Sequence, residues 1–378
     1  MKIAVLAGGY STERAVSAIS GIMVANALTE RSHKVALCDP YFGFSKDLAH
    51  AFCYEVRPVP TLSRATPDLA SLRKLGGGHT DVIAESVFPL LQAADVTFLA
   101  LHGGDGENGV LQAILDAHGI CYTGSGAAAS ALAMDKIQSK QCFQKAGIPT
   151  APWMAFSKDS SVKDAAEQIL STLGIPCVIK PCHGGSSIGV TIVQDEPALL
   201  PALDLAFAGG DTVLAEQYLT GREISVGILG QTPLPGVEIL PLTGFYDYQN
   251  KYQSGCTQEI CPAPLCDAAR NNVEHTACTA FRALGLRDYG RVDLILSADN
   301  TAFVLEANTL PGMTSGSLLP QGAAAVGISF GELCERIVQL ALARKKASRG
   351  TLVDSTPVPS PAPPKEAYPE VRPHDRRI

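Results

Sequence analysis

Two short apolar runs separated by a turn constrain this chain more than any other stretch. RVDLILS begins at Arg291 and AFVLEAN ends at Asn308. Their β-branched and aromatic content predicts a strand on each side, and Ala298-Asp299-Asn300 supplies the turn residues between them. Antiparallel pairing of the two strands would place Asp293 close to Glu306 and Asn308. Alternate strand residues share a face, so Glu306 and Asn308 point the same way, and Arg291 points with Asp293. Three oxygen donors converging there suit Mg²⁺, which takes carboxylate, amide and phosphate oxygens. A guanidinium fixed beside them would stabilise a phosphate or an oxyanion. An ordinary hairpin with scattered surface charge would not gather its polar residues on one face. The stretch Thr309-Leu310-Pro311-Gly312-Met313-Thr314-Ser315 follows directly.

The rest of the chain reads as alternating strands and helices. A strand at 2–7 runs into Gly8-Gly9, a helix is expected over about 11–28, and a second strand over 34–38. This βαβ order implies a parallel sheet with a right-handed crossover. A further strand at 95–101 leads into the glycine-rich turn at 102–109 and a helix from Val110, completing an amino-terminal α/β domain over 1–123. A central unit, 124–212, opens with one helix over 127–146 and closes with strands at 177–180 and 189–193 around a loop. The carboxyl-terminal unit, 213–345, is strand-rich to about 239, then carries a long polar loop at 244–262, a helix at 267–284 and the hairpin. A last helix near 331–343 has Leu333, Ile337 and Leu340 on one face, as a docking helix should. Seven prolines between Pro357 and Pro373 mark 346–378 as a disordered tail.

Composition narrows the class. A chain of 378 residues, 46% hydrophobic and 18% charged, can form two or three domains with real cores. The net charge of −7 gives no electrostatic reason to expect nucleic acid or an anionic membrane as a partner. No apolar run approaches the roughly 18–20 residues of a membrane span, and the first residues meet Glu13-Arg14 too soon for a signal peptide. The eleven cysteines include no CxxC pair. The five-residue recurrence of Cys256, Cys261 and Cys266 lacks the tighter pair and the fourth ligand of a zinc site. Reduced thiols of a cytosolic enzyme account for them better.

The hairpin and its continuation, RVD…LEANTLPGMT, resemble the carboxyl-terminal signature of the ATP-grasp ligases, and specifically of the D-alanine–D-alanine ligase family. The resemblance runs from Lys2 to about Arg344. It implies an α/β ATP-grasp fold in which two α+β subdomains sandwich ATP. It also implies a cytoplasmic homodimer with two Mg²⁺ or Mn²⁺ ions on Asp293, Glu306 and Asn308. The expected reaction is ATP-dependent joining of two D-alanines through an acyl phosphate, for peptidoglycan.

Residue by residue, the resemblance assigns further roles. Lys180 and the glycine loop after it (Pro181-Cys182-His183-Gly184-Gly185-Ser186-Ser187) look like the phosphate-covering loop. Glycines let backbone N–H groups approach phosphate while lysine supplies charge. The family often has Glu where Gly184 stands. Lys136 matches a second nucleotide lysine, Glu216 to Leu219 the hinge that receives adenine through its backbone, and Glu223 the acid on the ribose. Glu13, in the first turn expected after Gly8-Gly9, matches the carboxylate that holds the ammonium of the first D-alanine. Ser186 and Tyr252 match its partners in a hydrogen-bonded triad, and His102 a histidine beside that substrate. Lys251, in the long polar loop read as a lid, would reach the γ-phosphate and then the carboxylate of the second substrate, which Ser317 and Leu318 also bind. Arg291 and the Gly312 amide would stabilise the tetrahedral oxyanion. Tyr252 argues against D-lactate as second substrate, while D-serine, or another small amino-acid pair, stays open. A non-catalytic ATP-binding regulator would be expected to lose a metal ligand or a phosphate lysine, and none is missing.

Overall fold

The structure is a computed structural model that describes residues 1–61, 67–185, 187–242 and 256–353, without the side chains of 348–353. Three sheets organise it. In the first, β1 (Lys2–Leu6) pairs in parallel with β2 (Lys34–Cys38) and β3 (Val96–Leu99), in the order β2-β1-β3. β1 is buried from Ile3 onward, which explains its unbroken apolar run: parallel strands are covered on both faces. The helix Arg14–Glu30 connects β1 to β2. The helix Phe330–Val353 packs beside it and buries Leu333, Cys334, Ile337 and Val338 in the amino-terminal core. The last helix therefore docks far back along the chain, and its backbone continues to Val353, eight residues into the segment expected to be a tail. Residues 354–378 lie outside the described residues.

The first helix begins at Arg14, later than expected. Gly8 and Gly9 adopt φ of +88° and +74°, and the Ser11 hydroxyl accepts the Glu13 N–H at 3.0 Å. Such local hydroxyl bonds compete with a helical start. Glu13 is consequently the residue before the helix rather than part of its first turn, and its carboxylate does not cap the helix.

The second sheet is antiparallel, in the order β4 (Trp153–Ser157), β7 (Thr212–Gln217), β5 (Cys177–Pro181), β6 (Thr191–Val193). Helices Val162–Thr172 and Leu199–Ala208 bury Ile169, Leu203 and Ala206 against it. The third is built on β8 (Arg222–Leu229), in the order β11 (Thr257–Ile260), β10 (Val237–Pro241), β8, β12 (Tyr289–Leu296), β13 (Ala302–Asn308). The two-residue β9 (Thr232–Pro233) also pairs with β8.

Two expected boundaries shift. The helix read as continuous over 127–146 is two helices, Ala127–Met134 and Lys136–Lys145, parted at Asp135. Asp135 is extended, with ψ of 104°, and its carboxylate accepts the Gln138 N–H as an N-cap. Both helices bury apolar residues, Ala133 and Phe143 among them, in the core of the third sheet with Val292 and Val304. The stretch expected to open the central unit thus packs on the carboxyl-terminal one. At the other end, β7 crosses the boundary expected after residue 212 and belongs to the second sheet as far as Gln217.

Candidate active site

β12 and β13 pair in the register that the polar pattern demands, with Asp293 opposite Glu306 and Arg291 opposite Asn308. All four side chains share one face, and a bulge after Asp293 ends that arrangement. β8 adds a residue that the hairpin sequence could not reveal: Ser225 lies opposite Asp293 and donates to its Oδ1 at 2.6 Å. Arg291 donates from Nε to Asp293 Oδ1 at 2.9 Å and from Nη2 to Oδ2 at 2.8 Å. Asn308 Nδ2 reaches Oδ2 at 3.0 Å. Such a saturated carboxylate is held in one orientation. Lys136 Nζ lies 3.7 Å from Glu306 Oε2 and donates to the Gly184 carbonyl at 2.8 Å. One ammonium thereby links the hairpin to the glycine loop.

The second and third sheets face each other across a cleft of about 410 Å³. Lys136, Lys180, Glu216, Leu219, Glu223, Asp293 and Glu306 all line it, with Gly184 and Gly185 from the loop and apolar Val178, Ile192 and Ile295. Volume and lining are those of a site for a small ligand with an apolar ring and a charged end. The expected nucleotide residues that fall among the described residues therefore meet in one place.

Glu216 takes a position beyond its expected one. Its side chain turns into a buried cluster and pairs with both Lys180 and Lys140. Lys140 also donates to Thr150 Oγ1 at 2.6 Å, and that hydroxyl in turn bonds the Val304 carbonyl. Burial alone would raise the Glu216 carboxyl, but the flanking ammoniums of Lys180 and Lys140 outweigh it and hold its pKa below the usual glutamate range. Burial, with the nearby Lys180 charge, pulls Lys140 down despite Glu216. The Glu216 side chain is thus taken up by the lysines, and at this residue the backbone is what remains for a ligand. Lys140 carried no signal in the sequence beyond being one more helix lysine.

A smaller cavity, about 50 Å³, adjoins the metal-type face. Glu13, Glu107, Lys136, Gly185, Glu306, Asn308 and Thr309 line it. Glu13 sits between two glycine backbones: a Cβ on Gly185 would lie 2.9 Å from its Oε2, and one on Gly103 would collide with the same oxygen. Ser186 and Tyr252, its expected partners, and the lid residue Lys251 lie outside the described residues.

His102 is buried and ties the amino-terminal domain to the segment after the hairpin. Its Nδ1 lies 2.9 Å from the Leu310 carbonyl and its Nε2 3.0 Å from Ser20 Oγ. A carbonyl can only accept, so Nδ1 carries the proton and Nε2 accepts from Ser20. Burial lowers its pKa more than nearby Glu13 raises it, so the ring is neutral. Beside it Glu107, which the sequence reading passed over, accepts from the Gly103 amide at 2.9 Å and the Leu310 amide at 3.1 Å. Burial first, and then the Glu13 charge, push its carboxyl up to about 7.

Beyond the hairpin, Gly312 lies against Ser317: a Cβ there would meet Ser317 Oγ at 2.8 Å. Ser317 precedes the helix Leu318–Ala325 without capping it through its side chain. Its hydroxyl is 2.8 Å from Thr314 Oγ1 and accepts the Thr314 N–H at 3.1 Å. The Leu318 side chain is buried with Val237 and Ile239. Only its amide, at a helix N-terminus suited to a carboxylate, can serve a substrate.

The donors Asp293, Glu306 and Asn308 are the hard oxygens that Mg²⁺ or Mn²⁺ takes, and the Asn308 amide turns its nitrogen to Asp293, leaving Oδ1 as its acceptor. Asp293 would hold a cation only once the Arg291 fork lets go of it.

The chain resembles known proteins along most of its length. Family models described as D-ala D-ala ligase N-terminus and C-terminus match residues 2–125 and 142–339. The D-alanine–D-alanine ligase of Pediococcus pentosaceus is 41% identical over 89% of this chain and 97% of its own length. The crystal structure of the Bacillus anthracis D-alanine–D-alanine ligase complexed with ATP superposes with a TM-score of 0.71. It is 28% identical and covers 92% of this chain and 99% of that one. The VanG D-Ala:D-Ser ligase of Enterococcus faecalis has the same TM-score at 27% identity, over 90% and 99%. Sequence match and shared fold agree over most of the chain, and the chain belongs to the D-alanine–D-alanine ligase family.

Proposed function

We propose that this chain joins two D-alanine molecules at the expense of ATP, giving D-alanyl-D-alanine, ADP and phosphate for peptidoglycan precursors. The observation that carries the reading is the junction of two cavities. The carboxylate suited to an amino acid's ammonium, Glu13, lies within one small cavity of Glu306 and Asn308. Lys136 spans from that cavity to the glycine loop.

In this reading ATP occupies the large cleft, with adenine at the backbone of 217–219, ribose at Glu223 and phosphates beneath Gly184–Gly185, reached by Lys136 and Lys180. The carboxylate of the first D-alanine, held through its ammonium by Glu13, attacks the γ-phosphorus; the bond to the β,γ-bridging oxygen breaks, ADP leaves and an acyl phosphate forms. The amine of the second D-alanine then attacks the acyl carbon, and phosphate leaves. Arg291 and the Gly312 amide would face the oxyanion of that step, and Ser317 with the Leu318 amide the second carboxylate. Lys251 would close over the γ-phosphate, and Ser186 and Tyr252 would complete the network on Glu13. Asp293, Glu306 and Asn308 would hold two Mg²⁺ or Mn²⁺ ions. Bound cations of this kind draw negative charge from a phosphoryl group in transfer. The working molecule is proposed to be a cytoplasmic homodimer. No helix among the described residues is long and apolar enough to cross a membrane.

D-serine is the alternative second substrate to test against: a D-Ala:D-Ser ligase shares the fold at 27% identity, whereas relatives at 38–41% identity are D-alanine–D-alanine ligases. Phosphate release with ATP, D-alanine and a panel of second substrates, with products identified by mass spectrometry, separates the two. Turnover with D-alanine alone supports the proposal, and turnover only when D-serine is added would replace it.

A further inference from the structure

The root of the glycine loop carries a second ligand set at the edge of the nucleotide cleft, which His183 also lines. Asp135 lies between the helices Ala127–Met134 and Lys136–Lys145, and Cys182 and His183 follow β5. One donor atom from each of these three residues lies within 4.8 Å of the others. Cys182 Sγ is 3.4 Å from Asp135 Oδ1, and His183 Nε2 is 3.6 Å from Asp135 Oδ2. Tetrahedral zinc, with Zn–S of about 2.3 Å and Zn–N or Zn–O of about 2.0–2.2 Å, sets neighbouring donors roughly 3.3–3.6 Å apart. The first distance falls in that range and the second at its upper edge; they run to different Asp135 oxygens, which a turn of the exposed His183 side chain brings to one.

The surroundings are those of a held site. The Gln138 backbone N–H and its Nε2 donate to Asp135 at 3.0 and 2.7 Å, fixing the carboxylate as outer-shell partners do. Cys182 is pinned by its own N–H on the Thr212 carbonyl and by the Lys136 N–H on its carbonyl. Only His183, largely exposed, is free to adjust. The nearby Lys136 ammonium is turned to Gly184 and Glu306, leaving the three donors to face one another. Thiolate, imidazole and one carboxylate select Zn²⁺ over Mg²⁺.

We propose that Asp135, Cys182 and His183 form a binding site for a Zn²⁺-class cation that crosslinks the glycine loop to the helix Lys136–Lys145. On binding, the Cys182 thiol passes its proton to solvent, three protein donors and one water complete the tetrahedron, and no group is oxidised or reduced. Because Lys136 and Gly184 flank the ligands, the bound cation restrains the roof of the nucleotide cleft. That consequence, unlike the site itself, rests on the functional reading above.

Titration of the chelator-treated protein with Co²⁺ reads the site directly, whether or not the chain ligates D-alanine. One equivalent should produce a thiolate-to-cobalt charge-transfer band with tetrahedral d–d bands, which Zn²⁺ then displaces. Cys182→Ser should remove the charge-transfer band. His183→Ala, at an exposed position that spares the fold, should weaken binding at least about tenfold, the loss seen even for outer-shell partners. With Zn²⁺ bound, release of a fluorescent ATP analogue should slow in the wild type and not in His183→Ala. An unchanged Co²⁺ spectrum in Cys182→Ser, or undiminished affinity in His183→Ala, would overturn the site. Tight binding with no effect on nucleotide release would overturn the crosslink.

Discussion

The polar face of the β12–β13 hairpin and the cluster of Lys140, Lys180 and Glu216 both gather charge at the same cleft, yet they are built in opposite ways. On the hairpin, Arg291, Asp293, Glu306 and Asn308 share a face because strand period and register place them there. Their bonds run among neighbours on one sheet. In the cluster, each residue comes from a different element: Lys140 from a helix, Lys180 from β5, and Glu216 from β7. Glu216 is 3% exposed and Lys140 1%. Desolvation makes such a cluster unforgiving, since removing one partner strands an uncompensated charge. On the hairpin Arg291, Glu306 and Asn308 are only half-buried. Asp293, though buried, sits at the cleft wall, where a neutral amide in its place would keep Ser225 and Asn308 as partners and the lost charge is felt first by a ligand.

That contrast sets the largest expected effect. Glu216→Gln leaves two buried ammoniums without their carboxylate and should destabilise the protein by about 3–5 kcal/mol, measured by urea unfolding of the purified protein. An unchanged unfolding midpoint would erase the distinction between the two regions.

Asp293→Asn should do the reverse, costing rate and sparing structure. Loss of one such electrostatic group lowers turnover about 10²–10³-fold, read as phosphate release, while the circular dichroism spectrum stays as in the wild type. Retention of more than about a tenth of the rate would remove the hairpin from the chemistry.

Glu107, buried in the amino-terminal domain beside the small cavity, offers a pH test. Its folded-state pKa is raised to about 7, by burial first and Glu13 second. A raised carboxyl binds its proton more tightly in the folded state than in the unfolded chain. Its contribution to stability is therefore complete below the ordinary glutamate value and is lost as pH climbs through about 7. The loss across that window is about 3 kcal/mol. Stability profiles of the wild type and Glu107→Gln should differ in slope between about pH 4.5 and 7, the variant being flatter. Parallel profiles would mean that Glu107 stays ionised among its amide donors.

The smallest effect sharpens the first-substrate assignment. Loss of a charge-assisted bond to an ammonium costs roughly 1.5–3 kcal/mol, so Glu13→Gln should weaken D-alanine binding about tenfold to a hundredfold and leave ATP affinity unaltered. An equal loss of ATP affinity in calorimetric titrations would place Glu13 with the nucleotide instead.

Much of this was legible because it rests on short-range geometry. The period of two in RVDLILS and AFVLEAN determined which residues of the hairpin share a face, and the buried run KIAVL announced a parallel strand. Motif order then brought Lys136, Lys180 and Glu223 to one cleft and Glu13 to the small cavity beside it. Other features answer to packing between distant segments. Asp135 interrupts a run that reads as one helix, because its carboxylate caps the next turn. The helices on either side of it join the third sheet because their apolar faces meet Val292 and Val304 there. Ser225 reaches Asp293 only through the pairing of β8 with β12. Lys140, Glu107 and the inward turn of Glu216 depend on which charges burial forces together. A sequence states the charge and the period of each residue; the cost of desolvating it, and the partner that offsets that cost, exist only once the chain has closed around it.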